Sequence, residues 1–311
     1  MPSTAAFFKT RAQGKLLLTG EYFVLDGALA LALPVHYGQS LQVVPTSEQL
    51  YWQSLDHNGS PWFAATFALP TLEVLTTTDA QTAHTLALIL AACQRQNPTF
   101  LSGKQGWQAT TQNDFPRAWG LGTSSTLLAA LGRWADVNPY TVLFATMGGS
   151  GYDLACAYAD GPIWYRLKNS VPTVQPIDFQ PVFADQLYFV YLDKKQNSRR
   201  GIERYRAQTL KVTYLEKISA LTRQCTMATS LAEFENGLVE HEHLVSEVLD
   251  LPRAKTLFFN DFWGEIKSLG AWGGDFVLVT SQHPADETRA YFNEKGFRVF
   301  VPYRDMTGLS H

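Results

Sequence analysis

Short apolar runs open the chain: "AAFFKTRA", "KLLLTG", "ALALALPV" and "SLQVVPT" read as successive strands. "LYWQSL" and "WFAATFAL" flank Asp56-His57-Asn58-Gly59, and Asn-Gly between two β-rich runs predicts a hairpin. From Thr82 to Gln94 long apolar residues recur at helical spacing, followed by a strand in "GWQATTQ". Two helices follow, Ser124 to Trp134 and Pro139 to Met147, and then a short strand, "PIWYRL".

Between residues 170 and 185 the chain is proline-rich and aperiodic, which suits a crossing between domains. Beyond it a strand, "QLYFVYL", precedes helical patterns near 199 to 222, 229 to 249 and 254 to 268, broken at Leu251-Pro252. "DFVLVTS", a helix near 284 to 295 and "FRVFVPY" complete the chain. Strands mixed with helices in both halves predict an α+β protein of two domains, residues 1–172 and 173–311.

A chain of 311 residues, 46% apolar and 17% charged, buries a sizeable core. With a net charge of −3 and no dense Lys/Arg cluster, neither nucleic acid nor an anionic membrane is the expected partner. The N-terminus lacks an apolar core of signal-peptide length, so a cytoplasmic protein is expected. Cys93, Cys156 and Cys225 follow no metal-ligand spacing and are expected to be buried thiols.

Candidate chemistry gathers around glycine. In "GLGTSS", Gly120 and Gly122 precede Thr123, Ser124 and Ser125, hydroxyl residues that can cap the helix or ligate Mg²⁺. A glycine loop running into a helix makes a phosphate site, and it also makes an ordinary turn with a cap. The G-x-x-x-x-G-K-[ST] loop is absent, and Ser125 stands where G-x-G-x-x-G needs glycine. Two further clusters, "GGSGYDLACAYADG" with Asp153 and "GAWGGD" with Gly270, Ala271, Gly273, Gly274 and Asp275, each border a regular element and suggest a shared site.

In their order along the chain, "RAQGKLLLTGEYFVLDGALALALPV", "PRAWGLGTSST" and "GAWGGD" resemble the three motifs of the GHMP kinases, the group that contains galactokinase, homoserine kinase, mevalonate kinase and phosphomevalonate kinase. The resemblance implies an N-terminal mixed α/β domain with a left-handed crossover and a C-terminal ferredoxin-like domain. It implies ATP, with the triphosphate on Gly120, Leu121, Gly122, Thr123, Ser124 and Ser125, and Mg²⁺ at the Ser124 hydroxyl. Lys15 matches the lysine near the transferred group, and Asp153 the aspartate taken as base for the acceptor hydroxyl; a plain helix N-cap is the alternative for Asp153. Glu21 and Tyr22 lie where the family shapes the acceptor, and Gly270 to Asp275 would line it.

Detail in "GEYFVLDG", "SGYDLA" and "GAWGGD" resembles phosphomevalonate kinases more than the other branches. Lys194, Lys195, Ser198 and Arg199, in "YLDKKQNSRRGIERY", would suit an anionic acceptor. Mevalonate kinases carry a metal-binding glutamate upstream of the aspartate, whereas "NPYTVLFATMGGSGYD" holds no acid before Asp153. The expected protein is an ATP- and Mg²⁺-dependent kinase for phosphomevalonate, acting as a monomer or homodimer. The alternatives are mevalonate kinase, a kinase of another small alcohol, a decarboxylase of the superfamily, or a nucleotide-binding sensor without catalysis.

Other signals read as structural. "EHEH", Glu240 to His243, is expected on a solvated helix face, and Asn58-Gly59-Ser60 in a turn. Trp107 and Trp164 are expected in the core, with Trp119 and Trp272 bordering the nucleotide or acceptor.

Overall fold

A computed structural model of the protein describes residues 8–193, 198–208, 212–270, 272 and 274–308. They form two compact units, one of residues 8–14, 37–117 and 121–158, the other of residues 15–36, 118–120 and the described residues from 159 to 308. Two long strands, β1 (Phe8–Thr19) and β2 (Ala30–Ser47), each replace two expected ones and contribute to both units.

In the first unit β3 (Gln49–Leu55) and β4 (Pro61–Ala68) form the expected hairpin, with Gly59 at φ +80° in its turn. Their residues alternate between buried and accessible, as a strand with one face on the core requires. The short edge strand β5 (Val74–Thr77) leads into α1 (Ala80–Gln96), which is capped by Asp79 through the amides of Gln81 and Thr82. After α1 the chain returns as β6 (Gln105–Asn113), parallel to β3 and antiparallel to the second half of β2. Three helices complete the unit: α2 (Thr123–Ala135), α3 (Pro139–Thr146) and α4 (Tyr152–Cys156). Leu86, Ile89, Leu90 and Cys93 of α1 and Leu128 and Leu131 of α2 pack with Val43, Trp52, Phe63 and Phe67 of the sheet. Each such side chain contributes roughly 1.5–3 kcal/mol on burial.

In the second unit the first half of β2 pairs with β7 (Ile163–Lys168), which turns through Asn169 and Ser170, both at positive φ, into β8 (Val171–Pro176). The boundary expected near residue 172 falls inside this hairpin. Pro172 and Pro176 disguise β8 in the sequence, yet proline is tolerated on an edge strand, where one row of amides has no partner. Next come β9 (Leu187–Tyr191), α5 (Ser198–Arg206), α6 (Val212–Met227), α7 (Leu231–Leu249) and α8 (Ala254–Phe258). The helix expected over 254 to 268 stops at Phe258. Gly264 lies so close to the Thr280 carbonyl that a Cβ would sit 1.9 Å from it, and this approach starts a strand, β10 (Ile266–Ser268).

The remaining elements are β11 (Phe276–Thr280), α9 (Ala285–Glu294), β12 (Phe300–Pro302) and α10 (Tyr303–Thr307). The order β10-β11-β9-β12, antiparallel throughout, is that of a ferredoxin-like sheet. All three cysteines are buried and none forms a disulfide, and no helix among the described residues is long and apolar enough to cross a membrane.

The expectation of a solvated face for Glu240 to His243 fails at its two central residues. His241 and Glu242 of α7 are fully buried, together with Lys267 of β10 and Glu21. Lys267 donates to Glu21 Oε1 and, at 3.0 Å, to the Ser268 carbonyl, with Glu242 Oε1 3.8 Å away. Arg253 stands at the edge, its Nε 4.0 Å from Glu242. Burial and then the Glu21 charge push the Glu242 carboxyl up to about 8, against the pull of Lys267 and Arg253. Burial holds His241 well below 6.5, as a neutral ring.

These shifts have opposite signs in stability. Glu242 keeps its proton in the folded protein and loses it in the unfolded chain above about 4.3, so its contribution falls with rising pH until about 8. His241 instead costs stability as pH drops below 6.5, because only the unfolded chain then takes the proton. Between pH 7 and 8 the comparison with Glu242→Gln isolates the Glu242 effect, and urea unfolding of the wild type is expected to weaken by up to about 1.4 kcal/mol per pH unit relative to that variant. Equal slopes in the two proteins would contradict the raised pKa.

Candidate functional site

In the first unit α2 begins on Gly122, at φ +98°, with no side-chain cap. The hydroxyl cap, one of the two readings of this stretch, does not occur. Ser125 Oγ donates to the Gly122 carbonyl at 2.8 Å, and Thr126 Oγ1 to the carbonyls of Gly122 and Thr123 at 3.1 and 3.0 Å. Hydroxyls that bond carbonyls leave the first-turn N–H groups of a 13-residue helix without a side-chain acceptor. With the positive end of the helix dipole, these amides can take an anion. Leu121 is fully buried and anchors the loop, whereas Ser124 is exposed.

Also in the first unit, Gly148, Gly149 and Gly151 all have positive φ, and Gly151 caps α4. Asp153 therefore lies inside the first turn and is not the N-cap. Its Oδ1 accepts the Leu154 amide at 2.9 Å, which aims the half-buried carboxylate at the start of the helix.

In the second unit Lys15 is half-buried on β1, and its ammonium donates to the Gly120 carbonyl at 2.9 Å. The Asp275 carboxylate packs against the same glycine: a Cβ on Gly120 would lie 2.3 Å from Oδ2. Tyr191 Oη donates to Ala118 O at 2.8 Å, and Trp119 meets Phe276 edge to face at 5.5 Å. Residues 118–120 are thereby gripped from β1, β9 and the approach to β11.

Glu21 and Tyr22 follow β1 in this unit and are both buried. Burial pushes the Glu21 carboxyl up, and Lys267 beside it pulls the other way. Tyr22, at φ +62°, accepts the Trp272 amide at 3.0 Å and stacks on Tyr205 at 5.8 Å. Burial raises the phenol pKa, and Gly201 of α5 leaves the room its ring needs. Trp272 is 7% exposed, its indole N–H donating to the Pro252 carbonyl. A Cβ on Gly270, at φ +65°, would meet no atom within 4 Å.

Lys194, Lys195, Ala271 and Gly273 lie outside the described residues, as do the side chains of Ser198 and Arg199, whose backbone starts α5. Lys267, His241 and Glu242 were missed as members of this neighbourhood. The signal for Lys267 was a lysine three residues ahead of a glycine loop, between Ile266 and Leu269.

Gly120 is held by its left-handed φ of +66° and by the Asp275 carboxylate at once. Gly120→Ala is expected to cost about 1–3 kcal/mol in urea unfolding through backbone strain, and to displace the Asp275 carboxylate. An unchanged unfolding midpoint would contradict this packing.

No protein-family model matches the chain, and no curated protein sequence does. Solved structures do. A phosphomevalonate kinase of Streptococcus pneumoniae, in complex with phosphomevalonate and AMPPNP, superposes with a TM-score of 0.71 at 14% identity, covering 93% of this chain and 97% of that one. The Methanococcus jannaschii mevalonate kinase gives 0.69 at 13% identity over 96% and 98%. A Lactococcus lactis galactokinase complexed with galactose gives 0.60 at 13% over 94% and 90%. At these identities the likeness is one of architecture, carried over nearly the whole of each chain. The chain has the fold of the GHMP kinases.

Proposed function

We propose that the protein is an ATP- and Mg²⁺-dependent small-molecule kinase, and that its acceptor is phosphomevalonate. The observation that carries the reading is the uncapped start of α2 on Gly122. The similarity of fold to a phosphomevalonate kinase crystallised with AMPPNP and phosphomevalonate supports both the nucleotide and the acceptor.

Phosphoryl transfer asks a protein mainly to align its reactants and to neutralise charge. In this reading the amides of Gly122, Thr123, Ser124 and Ser125 take the triphosphate, and Lys15 stands by the transferred group. No cluster of three His, Cys, Asp or Glu side chains that could hold a metal occurs among the described residues. Mg²⁺, which keeps several waters and binds readily through substrate phosphates, fits such a setting, with the exposed Ser124 hydroxyl as its protein ligand. Bound there, it would neutralise charge on the phosphate oxygens. Lys194, Lys195, Ser198 and Arg199, with the loop from Gly270 to Asp275, would receive the acceptor.

A phosphate monoester has its second pKa near 6 and is ionised at neutral pH. Asp153 then orients the acceptor and need not remove a proton. An alcohol acceptor would need a base there. The acid-free run from Val137 to Tyr152 favours a second reading, a nucleotide-binding protein without catalysis, over a copy of the mevalonate kinase metal site.

A coupled ADP-release assay with ATP, Mg²⁺ and phosphomevalonate, mevalonate, homoserine or galactose tests the proposal. Turnover is expected to be fastest with phosphomevalonate. Preference for mevalonate would reassign the acceptor, and ATP binding without turnover would support the non-catalytic reading. With phosphomevalonate, Asp153→Asn is expected to lower kcat by less than the roughly 10²-fold that loss of a general base brings. A larger loss would make Asp153 the base.

A further inference from the structure

His241 and Glu242 are neighbours on α7 with no part in the roles assigned above, yet both are fully buried and both accept a backbone N–H from another element of the second unit. His241 Nε2 accepts the amide of Gly20, the residue that follows β1, at 2.8 Å. Glu242 Oε1 accepts the amide of Ser268, the last residue of β10, at 3.2 Å. Consecutive helical residues point about 100° apart, so one turn of α7 reaches two separate segments.

Both amides lie where the sheets offer no partner. Gly20 follows the end of its strand, and β10 is the edge of the four-stranded sheet. The same two segments are joined twice more, by Lys267 to Glu21 and by the Trp272 amide to the Tyr22 hydroxyl. One segment ends the strand that carries Lys15; the other opens the loop from Gly270 to Asp275. Apolar side chains of similar volume would stabilise this interior as well or better. What the polar residues add is direction, since each bond fixes one amide against one atom of α7.

We propose that His241 and Glu242 are positioning residues: α7 acts as a strut that sets Ser268 at the end of β10, and with it Trp272, against the strand bearing Lys15, and so governs binding of the anionic acceptor. The inference rests on the kinase reading for its consequence, but its structural half is independent of activity.

The test uses the full chain with three variants. Glu242→Gln keeps an acceptor for the Ser268 amide, Glu242→Leu removes it, and Glu242→Asp keeps the carboxylate but shortens its reach. In Glu242→Leu, amide exchange over residues 268 to 276 is expected to accelerate about 10-fold or more while that of α1 is unchanged. The acceptor KM is expected to rise about 10-fold, with the KM for ATP within about 2-fold of the wild type and Glu242→Gln close to the wild type in both. If Glu242→Leu does not fold, Glu242→Asp is expected to raise exchange and acceptor KM in the same places. Exchange that rises uniformly through the unit, equal impairment of Gln and Leu, or a loop and KM unchanged in Leu and Asp would overturn the proposal. A wild type inactive with every acceptor would sink the kinase reading, while the exchange measurement would still decide whether α7 is a strut.

Discussion

An ammonium ion can be kept from water only beside a counter-charge, and Lys267 is the one fully buried Lys or Arg among the described residues. That requirement organises its unit. Glu21 must come from the end of β1 to meet it, Glu242 from α7 stands second, and Lys267 itself opens the approach to a glycine loop. With Glu242 protonated, the remaining Glu21 and Lys267 charges cancel, so the interior holds a neutral set. Removing Glu21 or Lys267 leaves an uncompensated charge, typically worth 3–5 kcal/mol, whereas replacing the whole set by apolar residues is often neutral. The arrangement therefore constrains which segments meet more than it contributes to stability.

Helix starts in the first unit divide into two kinds. Asp79 and Asn138 offer side-chain oxygens to the first amides of α1 and α3, satisfying groups that would otherwise need water. In α2 the first residue is preceded by glycine, and the nearby hydroxyls turn back to carbonyls. A sequence rich in Thr and Ser at that point had the means to cap the helix and does not use them. Uncapped amides at the end of a glycine loop are what a phosphate ligand needs, and what a purely structural turn would be expected to avoid.

Elements that depend on local pattern were legible: the Asn-Gly hairpin, α1, α2, α3 and the continuous apolar runs of β9 and β11. So was the order of the glycine motifs, because glycine at positive φ is a demand of the backbone itself, as at Gly120, Gly122, Gly151 and Gly270. What failed depends on partners distant in the chain. Residues 259 to 268 carry a helical period, yet they run as a loop in which Gly264 approaches Thr280 before β10 begins at Ile266. His241 and Glu242 look like a solvated face until Gly20 and Ser268 supply the amides that draw them inside. Helix capping was misjudged because a hydroxyl's choice between amide and carbonyl is set by rotamer, which composition does not encode.

The acid-free run before Asp153 acquires a physical sense under the proposed acceptor. A phosphate monoester brings between about 1.5 and 2 negative charges of its own to a triphosphate that is already strongly anionic. A carboxylate added as metal ligand would strengthen the hold on Mg²⁺ but would add repulsion to both phosphates at close range. For a neutral alcohol the exchange favours the extra ligand, since only one anion must be accommodated. For a phosphorylated acceptor it favours a metal held mostly by the phosphates, with a hydroxyl as its protein ligand. The missing glutamate thus counts for an anionic acceptor at least as much as it counts against catalysis.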